Sequence, residues 1–359
     1  MLGINILSRG FVRAKTVKGY ATAVNILFTL RGFRSPADFD DPTNMVAILH
    51  HNLEREENVA KQRSPLDNSI FAHLQQRAAK SASLDSVDNV LFNAVALGRI
   101  TGQRLGEFAQ TKQSKVDVHT YPSGTKVVKA FTANDFIFYD GNGRILSDLN
   151  QSALEKVASL KLTWRIQKNR QNGQSLRIVA DAAHPEICPV RNALQLVMRA
   201  RRLGQPNDLP VCFYTNKKGE KLYLTGGKIA ELFRKAVKAV HPDTLPEDLK
   251  RYSAHSLRVW ACVLLDEAGK SPEFIRKRLR WMGDSFRLYL RDTAVINRQH
   301  RDALHSASSE VMSLIADITG LSSAASPPAE GATAVSDDGD LPDLVDEDLA
   351  MGDYVEDMD

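Results

Sequence analysis

One stretch of this chain, residues 126–179, is rich in β-branched and aromatic residues, whereas the segments on both sides of it have helical patterns. Within it, Lys126–Tyr139 and Lys161–Val179 have the composition of strands. Asn172-Gly173 interrupts the second of them and is a strong signal for a hairpin turn. A short β-rich stretch among helices predicts a mainly α chain with a small antiparallel β-sheet, an α+β fold.

The chain has 359 residues, which allows about two globular units and a tail. Apolar residues recur at helical spacing in three segments that end at a polar link, residues 79–83. We therefore predict a small helical domain over residues 1–82 and a second domain over residues 83–320. Residues 321–359 are rich in Ala, Ser, Pro, Asp and Glu, and this composition predicts a disordered acidic tail.

The charge of the chain is divided unevenly. The formal net charge is +4, but residues 321–359 contain twelve acidic side chains and no Lys or Arg, which leaves about +16 for residues 1–320. A basic body attracts polyanions, so nucleic acid is the expected partner. The tail either binds a basic partner, covers the basic face as an electrostatic mimic of DNA, or only keeps the chain solvated.

The cysteines and the hydropathy give no sign of secretion or of a membrane. Cys188, Cys212 and Cys262 are widely spaced and form no CxxC or Cys/His cluster, so neither a disulfide framework nor a structural zinc site is expected. The first residues lack a long apolar h-region, and no segment has the apolar length of a bilayer span. We expect a soluble, intracellular protein that uses no cofactor.

His255 and Arg258 lie three residues apart, so in a helix they point from one face toward one ligand. Breaking and rejoining DNA without a cofactor requires groups that neutralise the phosphate, a nucleophile, and a proton donor for the leaving oxygen. Arginine suits the first task because its planar fork grips two phosphate oxygens. Taken alone, however, the pair fits a surface helix with a hydrogen-bonded histidine better than it fits a phosphate-binding site.

A second arginine stands beside a glycine turn and a carboxylate, in the segment Thr101-Gly102-Gln103-Arg104-Leu105-Gly106-Glu107. Glu107 is placed to hold Arg104 and aim it at a phosphate. Considered in isolation, the segment fits a helix C-cap at Gly102 with a surface ion pair better than it fits a phosphate-binding arginine.

A third segment, Arg280-Trp281-Met282-Gly283-Asp284-Ser285-Phe286-Arg287-Leu288-Tyr289, follows the other two. In this order the motifs resemble the catalytic domain of the tyrosine recombinase (phage integrase-like) superfamily, whose sites run Arg, Lys, His-x-x-Arg, His or Trp, then Tyr. The closing segment and Ile187-Cys188-Pro189-Val190-Arg191 are closest in style to crypton-type eukaryotic elements. The resemblance covers about residues 84–300, and before them it extends only to the family's helical core-binding architecture.

The resemblance implies a role for each matching residue. Tyr289 would attack the scissile phosphate and form a 3′-phosphotyrosyl link, without ATP. Arg104 and Arg258 would bind the non-bridging oxygens, Trp281 would add a hydrogen bond from its indole N–H, and His255 would assist proton transfer. Lys168, at the tip of the hairpin, would protonate the leaving 5′ oxygen, with Lys161 as the rival for that role.

Two features of the motifs depart from the family pattern. Gln103 and Leu105 replace smaller or more apolar neighbours, and Trp281 to Tyr289 is one residue tighter than the common bacterial spacing. The alternatives are an inactive recombinase-derived DNA-binding regulator, a type IB topoisomerase or telomere-resolving enzyme, and a basic helical scaffold. For the expected recombinase, the resemblance implies double-stranded DNA as partner and a tetramer on paired sites.

A basic cluster, Arg276-Lys277-Arg278 and Arg280, precedes Trp281. As part of the helix before Trp281 we expect it to face phosphate, with nuclear import as the alternative role. The expected location is the nucleus if the host is eukaryotic, otherwise the cytoplasm or nucleoid.

Overall fold

The computed structural model describes residues 13–56, 62–167 and 172–290. Within them the predicted fold class is confirmed, because helices dominate and the strands pair in small antiparallel sheets. The helices are α1 (Ala14–Leu30), α2 (Met45–Glu56), α3 (Asn68–Lys80), α4 (Val87–Thr101), α5 (Leu105–Phe108), α6 (Ala153–Lys156), α7 (Pro189–Arg202), α8 (Gly226–Val240), α9 (Pro246–Leu249), α10 (Ser256–Glu267) and α11 (Pro272–Arg278), with 3₁₀ turns at Ala133–Asp135 and Asp284–Tyr289. The strands are β1 (Val118–Thr120), β2 (Lys126–Val128), β3 (Phe136–Asp140), β4 (Val157–Thr163), β5 (Ser175–Val179), β6 (Phe213–Thr215) and β7 (Lys221–Tyr223). The acidic tail lies outside the described residues.

The described residues form two compact units that divide between Ala60 and Lys61, not at the predicted boundary between 82 and 83. The difference concerns α3, which the sequence places with the first domain. Leu66, Ile70 and Leu74 of this segment are buried in the same hydrophobic core as α4. The apolar face of α3 therefore belongs to the second unit.

The first unit contains α1 and α2. The side-chain amide of Asn25, on α1, donates to the carbonyl oxygen of Ala37 and accepts from the Ala37 N–H. These two hydrogen bonds hold the segment that follows α1 against the helix. Several large apolar side chains of α1 and the following turn are exposed: Tyr20, Val24, Ile26, Leu27, Phe28, Leu30 and Phe33.

The second unit is built around α4. Nearly all of its side chains are buried, and the helix packs against α3, α7 and α10. The α10 contact is very close at Gly98, where a Cβ atom would overlap the Leu257 side chain. Glycine at this position therefore allows α10 to reach the C-terminal end of α4, where the candidate site lies.

The β-rich stretch forms the predicted antiparallel sheet, with strand order β3-β4-β5. Leu160 and Leu162 of the central strand point into the core, whereas Lys161 points to the opposite, partly exposed face. The hairpin predicted from Asn172-Gly173 joins β4 to β5, and Gly173 takes a φ of 82°, which glycine adopts readily. The pairs β1–β2 and β6–β7 form further small hairpins.

All three cysteines are free thiols buried in the second unit. No helix in the part of the chain that the structure describes has the length and apolarity to cross a membrane.

Candidate active site

Arg104 stands at a sharp turn between α4 and α5. Gly102 ends α4 with a φ of 56°, a left-handed conformation, and its N–H donates to the Gly98 carbonyl at 2.8 Å. The backbone N–H of Arg104 then donates to Glu107 Oε2 at 3.0 Å, and the Arg104 guanidinium lies 3.5 Å from the same carboxylate. Both sequence interpretations hold in part, because Gly102 is a helix C-cap and Glu107 also holds the arginine. The Arg104 side chain stays 22% exposed.

His255 and Arg258 lie at the start of α10, as their spacing predicts, but they differ in burial. His255 is half-buried, and its Nε2 lies 2.9 Å from the hydroxyl of Tyr289. Arg258 is only 2% exposed. Its guanidinium donates to the carbonyl oxygens of Gly102 and, at 3.1 Å, Leu279.

Some neighbours of Arg258 disfavour its positive charge and others stabilise it. Burial lowers its pKa to about 9, and repulsion from Arg104 and Arg280 acts in the same direction, whereas Glu107 opposes it. The guanidinium lies 4.1 Å from the ring centroid of Trp281, a distance at which the ring face attracts a cation. The structure thus brings Arg258 and Arg104 together at one site through Gly102, Leu279 and Arg280.

Tyr289 ends the 3₁₀ turn that follows Trp281. Its ring lies 5.6 Å from the His255 ring and 5.8 Å from the Trp281 ring, measured between centroids. Phe286 of the same turn is fully buried and anchors this segment in a small hydrophobic cluster with Ile275 and Leu279. The Tyr289 hydroxyl is therefore held beside an imidazole, and its ring lies next to Trp281, whose own ring face contacts the Arg258 guanidinium.

Trp281 is at the site, and its indole Nε1 atom is buried against the thiol of Cys262. The reason is the turn after α11, in which the Trp281 N–H donates to the Arg276 carbonyl at 2.9 Å and Arg280 takes a φ of 60°. This turn packs the indole inward, where its face contacts Arg258.

Lys168, the predicted general acid, lies outside the described residues. Its described neighbour Gln167 is buried, and the Gln167 side-chain oxygen accepts from Arg280 at 3.3 Å. The rival Lys161 lies in the middle of β4, opposite Ile137 and Arg177.

A buried ion pair beneath Arg104 was not found from the sequence. Arg280 donates to both oxygens of Glu107, at 2.9 and 3.0 Å, and Trp164 Nε1 donates to Glu107 Oε2 at 3.1 Å. The sequence grouped Arg280 with Arg276, Lys277 and Arg278 as a basic cluster facing phosphate, and for Arg280 that prediction is wrong. Its side chain is 5% exposed.

The protonation of Glu107 follows from this environment. Burial by itself would raise its pKa, but the attraction and hydrogen bonds of Arg280, together with Arg104 and Arg258, hold the pKa below its usual 4.5. The carboxylate is therefore ionised at neutral pH.

The arrangement combines a hydroxyl nucleophile, an imidazole within hydrogen-bonding distance of it, and a group of guanidinium cations. A positioned imidazole can take or return the proton of a tyrosine hydroxyl, and guanidinium groups stabilise the extra negative charge of a pentavalent phosphate.

The fold was compared with known proteins. It is similar to the Tn1549 transposon integrase in complex with transposon right end DNA, at 15% identity and a TM-score of 0.46, over 85% of this chain and 83% of that one. It is also similar to lambda integrase bound to DNA, at 16% identity and a TM-score of 0.38, over 77% and 73% of the two chains. XerA recombinase aligns at 12% identity and a TM-score of 0.36, over 82% and 83%.

These neighbours are tyrosine recombinases and integrases, the superfamily that the motifs resemble. No protein-family model and no curated protein matches the chain.

Proposed function

We propose that this protein is a site-specific DNA recombinase that cuts and rejoins DNA through a 3′-phosphotyrosyl intermediate. The observation that carries the proposal is the 2.9 Å contact between His255 Nε2 and the Tyr289 hydroxyl, next to Trp281 and the Arg258 guanidinium that it contacts. A histidine, a tyrosine and two arginines from distant parts of the chain meet at one place, which a scaffold or a simple DNA-binding protein does not require.

In the proposed reaction, the Tyr289 oxygen attacks the scissile phosphorus while His255 takes its proton. A phosphotyrosyl ester forms, and the bond from phosphorus to the 5′ oxygen breaks. Lys168 protonates that oxygen, and Arg104 and Arg258 neutralise the pentavalent phosphate. Attack of a 5′ hydroxyl on the ester reverses the step, so the energy of the bond is conserved and no ATP is used.

Burial of Arg258 and of the Trp281 N–H has a consequence for this mechanism. Both groups are buried in the structure, so in the proposed mechanism the segment 279–281 shifts and exposes them when a phosphate binds. The same observation favours the second candidate function, a recombinase-derived DNA-binding regulator in which Arg258 and Trp281 only stabilise the fold.

Double-stranded DNA is the proposed substrate. Its support is the charge of about +16 on residues 1–320, together with the exposed Arg276 and Lys277 on α11, close to the site. We further propose that residues 1–82 contribute a core-binding surface, that the active form is a tetramer on paired sites, and that the protein acts in the nucleus if its host is eukaryotic.

The test is trapping of the covalent intermediate. The protein and its Tyr289→Phe variant are incubated with a library of nicked suicide DNA substrates, and the products are separated on a denaturing gel. We expect a covalent band for the wild type that is lost in Tyr289→Phe and kept in Tyr139→Phe, a tyrosine on β3 remote from the site. DNA binding by the wild type without any adduct would support the regulator instead.

A further inference from the structure

Arg280 occupies a backbone position that does not favour arginine. It lies two residues beyond the end of α11, after the C-cap Leu279, where the Trp281 N–H donates to the Arg276 carbonyl at 2.9 Å and the Arg280 N–H to the Lys277 carbonyl at 3.4 Å. This hydrogen-bond pattern ends many helices and requires a left-handed residue, usually glycine. Among the described residues, Arg280 is the one non-glycine residue with a positive φ, 60°. An arginine at this position indicates a role for its side chain.

The Arg280 side chain is directed inward and forms an ion pair with one carboxylate, that of Glu107. Its two terminal nitrogens lie 2.9 and 3.0 Å from the two oxygens of Glu107, and its guanidinium stacks on Trp164, 3.9 Å from the ring centroid. The Arg280 side chain is 5% exposed and the Glu107 side chain 8% exposed, so water screens this bidentate ion pair little.

Arg104 contacts the same carboxylate, but less closely. Its guanidinium lies 3.5 Å from Glu107 Oε1 and 3.4 Å from the backbone carbonyl oxygen of Arg280, and its side chain is 22% exposed. Two arginines thus share one carboxylate, and the buried Arg280 has the shorter contacts. If Arg280 were absent, Glu107 would attract Arg104 alone and draw it inward into a neutral pair.

We infer that Arg280 is a positioning residue that occupies Glu107 and thereby keeps the charge of Arg104 available to a DNA phosphate. The inference rests on the proposed function for its catalytic part, since Arg104 is there a ligand of the scissile phosphate. Arg280 itself does not contact DNA in this arrangement.

The test compares two substrates with seven proteins. The substrates are nicked DNA with an ordinary scissile phosphate and the same DNA with a methylphosphonate there, which lacks one negative charge and so needs less neutralisation by arginine. The proteins are the wild type, Arg280→Met, Arg280→Lys, Arg104→Met, the double variants Glu107→Gln/Arg280→Met and Arg104→Met/Arg280→Met, and Arg199→Met. Arg199 is the matched control, a buried arginine elsewhere that donates to the Leu84 carbonyl and to Asn93 at 3.0 and 2.8 Å.

We expect Arg280→Met to slow covalent attachment at least about tenfold on the phosphodiester and less than about threefold on the methylphosphonate, as Arg104→Met does. The double variant should recover most of the lost rate, because the carboxylate that captures Arg104 is gone. Arg280→Lys should be intermediate, because an ammonium group cannot bind both carboxylate oxygens in parallel. Arg199→Met should slow both substrates equally or not at all.

A second measurement does not depend on catalysis. The slope of log affinity for DNA against log salt reports the number of phosphate contacts, so Arg280→Met and Arg104→Met should each reduce it by about one, and together by no more. If the wild type forms no adduct but this slope falls, the proposed function fails while the inference stands. An equal loss on both substrates in Arg280→Met, or an unchanged slope, would show that Arg280 only stabilises the fold.

Discussion

The hydroxyl of Tyr289 and Nε2 of His255 lie 2.9 Å apart, although 34 positions separate the two residues in the chain. The contact joins the first turn of α10 to the end of the closing segment. Both side chains are half-buried, so an imidazole and a phenol are held together where a phosphate can still approach them.

The first prediction concerns this contact. His255→Gln should slow covalent attachment by about a hundredfold, because the amide cannot take the proton of Tyr289 during the attack. The rate is measured as the appearance of the covalent band under single-turnover conditions.

His119→Gln is its control, because His119 packs against Tyr121 at 4.7 Å between ring centroids, a second histidine–tyrosine pair away from the site. An equal loss of rate in both variants would show that the His255 contact has no special role.

The second prediction concerns acid stability. The pKa of Glu107 lies below 4.5 in the folded protein, so its stabilising effect is fully present above 4.5 and is lost as the pH falls through the folded value. Glu107→Gln should lower the free energy of unfolding at pH 7 by about 3 kcal/mol, because Arg280 loses a buried partner. The difference from the wild type should shrink as the pH falls below about 5. Urea unfolding across this range measures it.

Glu231→Gln is the matched control for that experiment. Glu231 also pairs with two cations, Lys228 and Lys235, but the pairs are largely exposed and contribute little. The pKa of Glu231 is also lowered by its lysines, but because the pairs are exposed its substitution should change the pH profile much less than Glu107→Gln. A constant difference between wild type and Glu107→Gln at all pH values would contradict the assignment of the acid transition to Glu107.

The third prediction concerns the packing that brings α10 to the site. Gly98→Ala places a methyl group into the Leu257 side chain and should destabilise the protein by about 1–3 kcal/mol. Gly227→Ala, in the first turn of α8, meets no atom within 4 Å and should cost little. Thermal unfolding compares the two variants. Equal stability would mean that α10 can move without loss.

Much of this site could be predicted because its motifs are local. The Thr101–Glu107 turn, the His255-x-x-Arg258 spacing and the Asn172-Gly173 hairpin are each set by neighbouring residues, whose turn and capping preferences appear directly in the sequence. The order of the motifs then indicated which side chains would meet. In the structure Arg104, His255, Arg258, Trp281 and Tyr289 are brought together.

The buried ion pair could not be predicted in the same way. Arg280 follows three basic residues of a surface helix, so its local sequence indicates exposure. Its burial depends on Glu107 and Trp164, which are distant in sequence and belong to other elements. The core that α3 joins could not be predicted for a related reason, because the apolar residues of α3 do not specify which neighbouring helices they pack against.

The last prediction concerns the acidic tail, residues 321–359, which lies outside the described residues. Removing it deletes twelve negative charges and no positive ones, so the remaining chain carries about +16 instead of +4. DNA affinity at low salt should rise by about tenfold or more, and the rise should shrink as salt screens the charges. Fluorescence anisotropy with a short duplex, titrated at several salt concentrations, measures the effect.

A variant of equal length, with every Asp and Glu of the tail changed to Asn and Gln, separates charge from length. If the tail competes with DNA through its charge, this variant should bind as tightly as the truncated chain. If the neutral tail still weakens binding, its apolar residues, among them Leu341, Leu344 and Leu349, contribute to the competition. If neither change alters affinity, the tail does not cover the DNA-binding face and only solvates the chain.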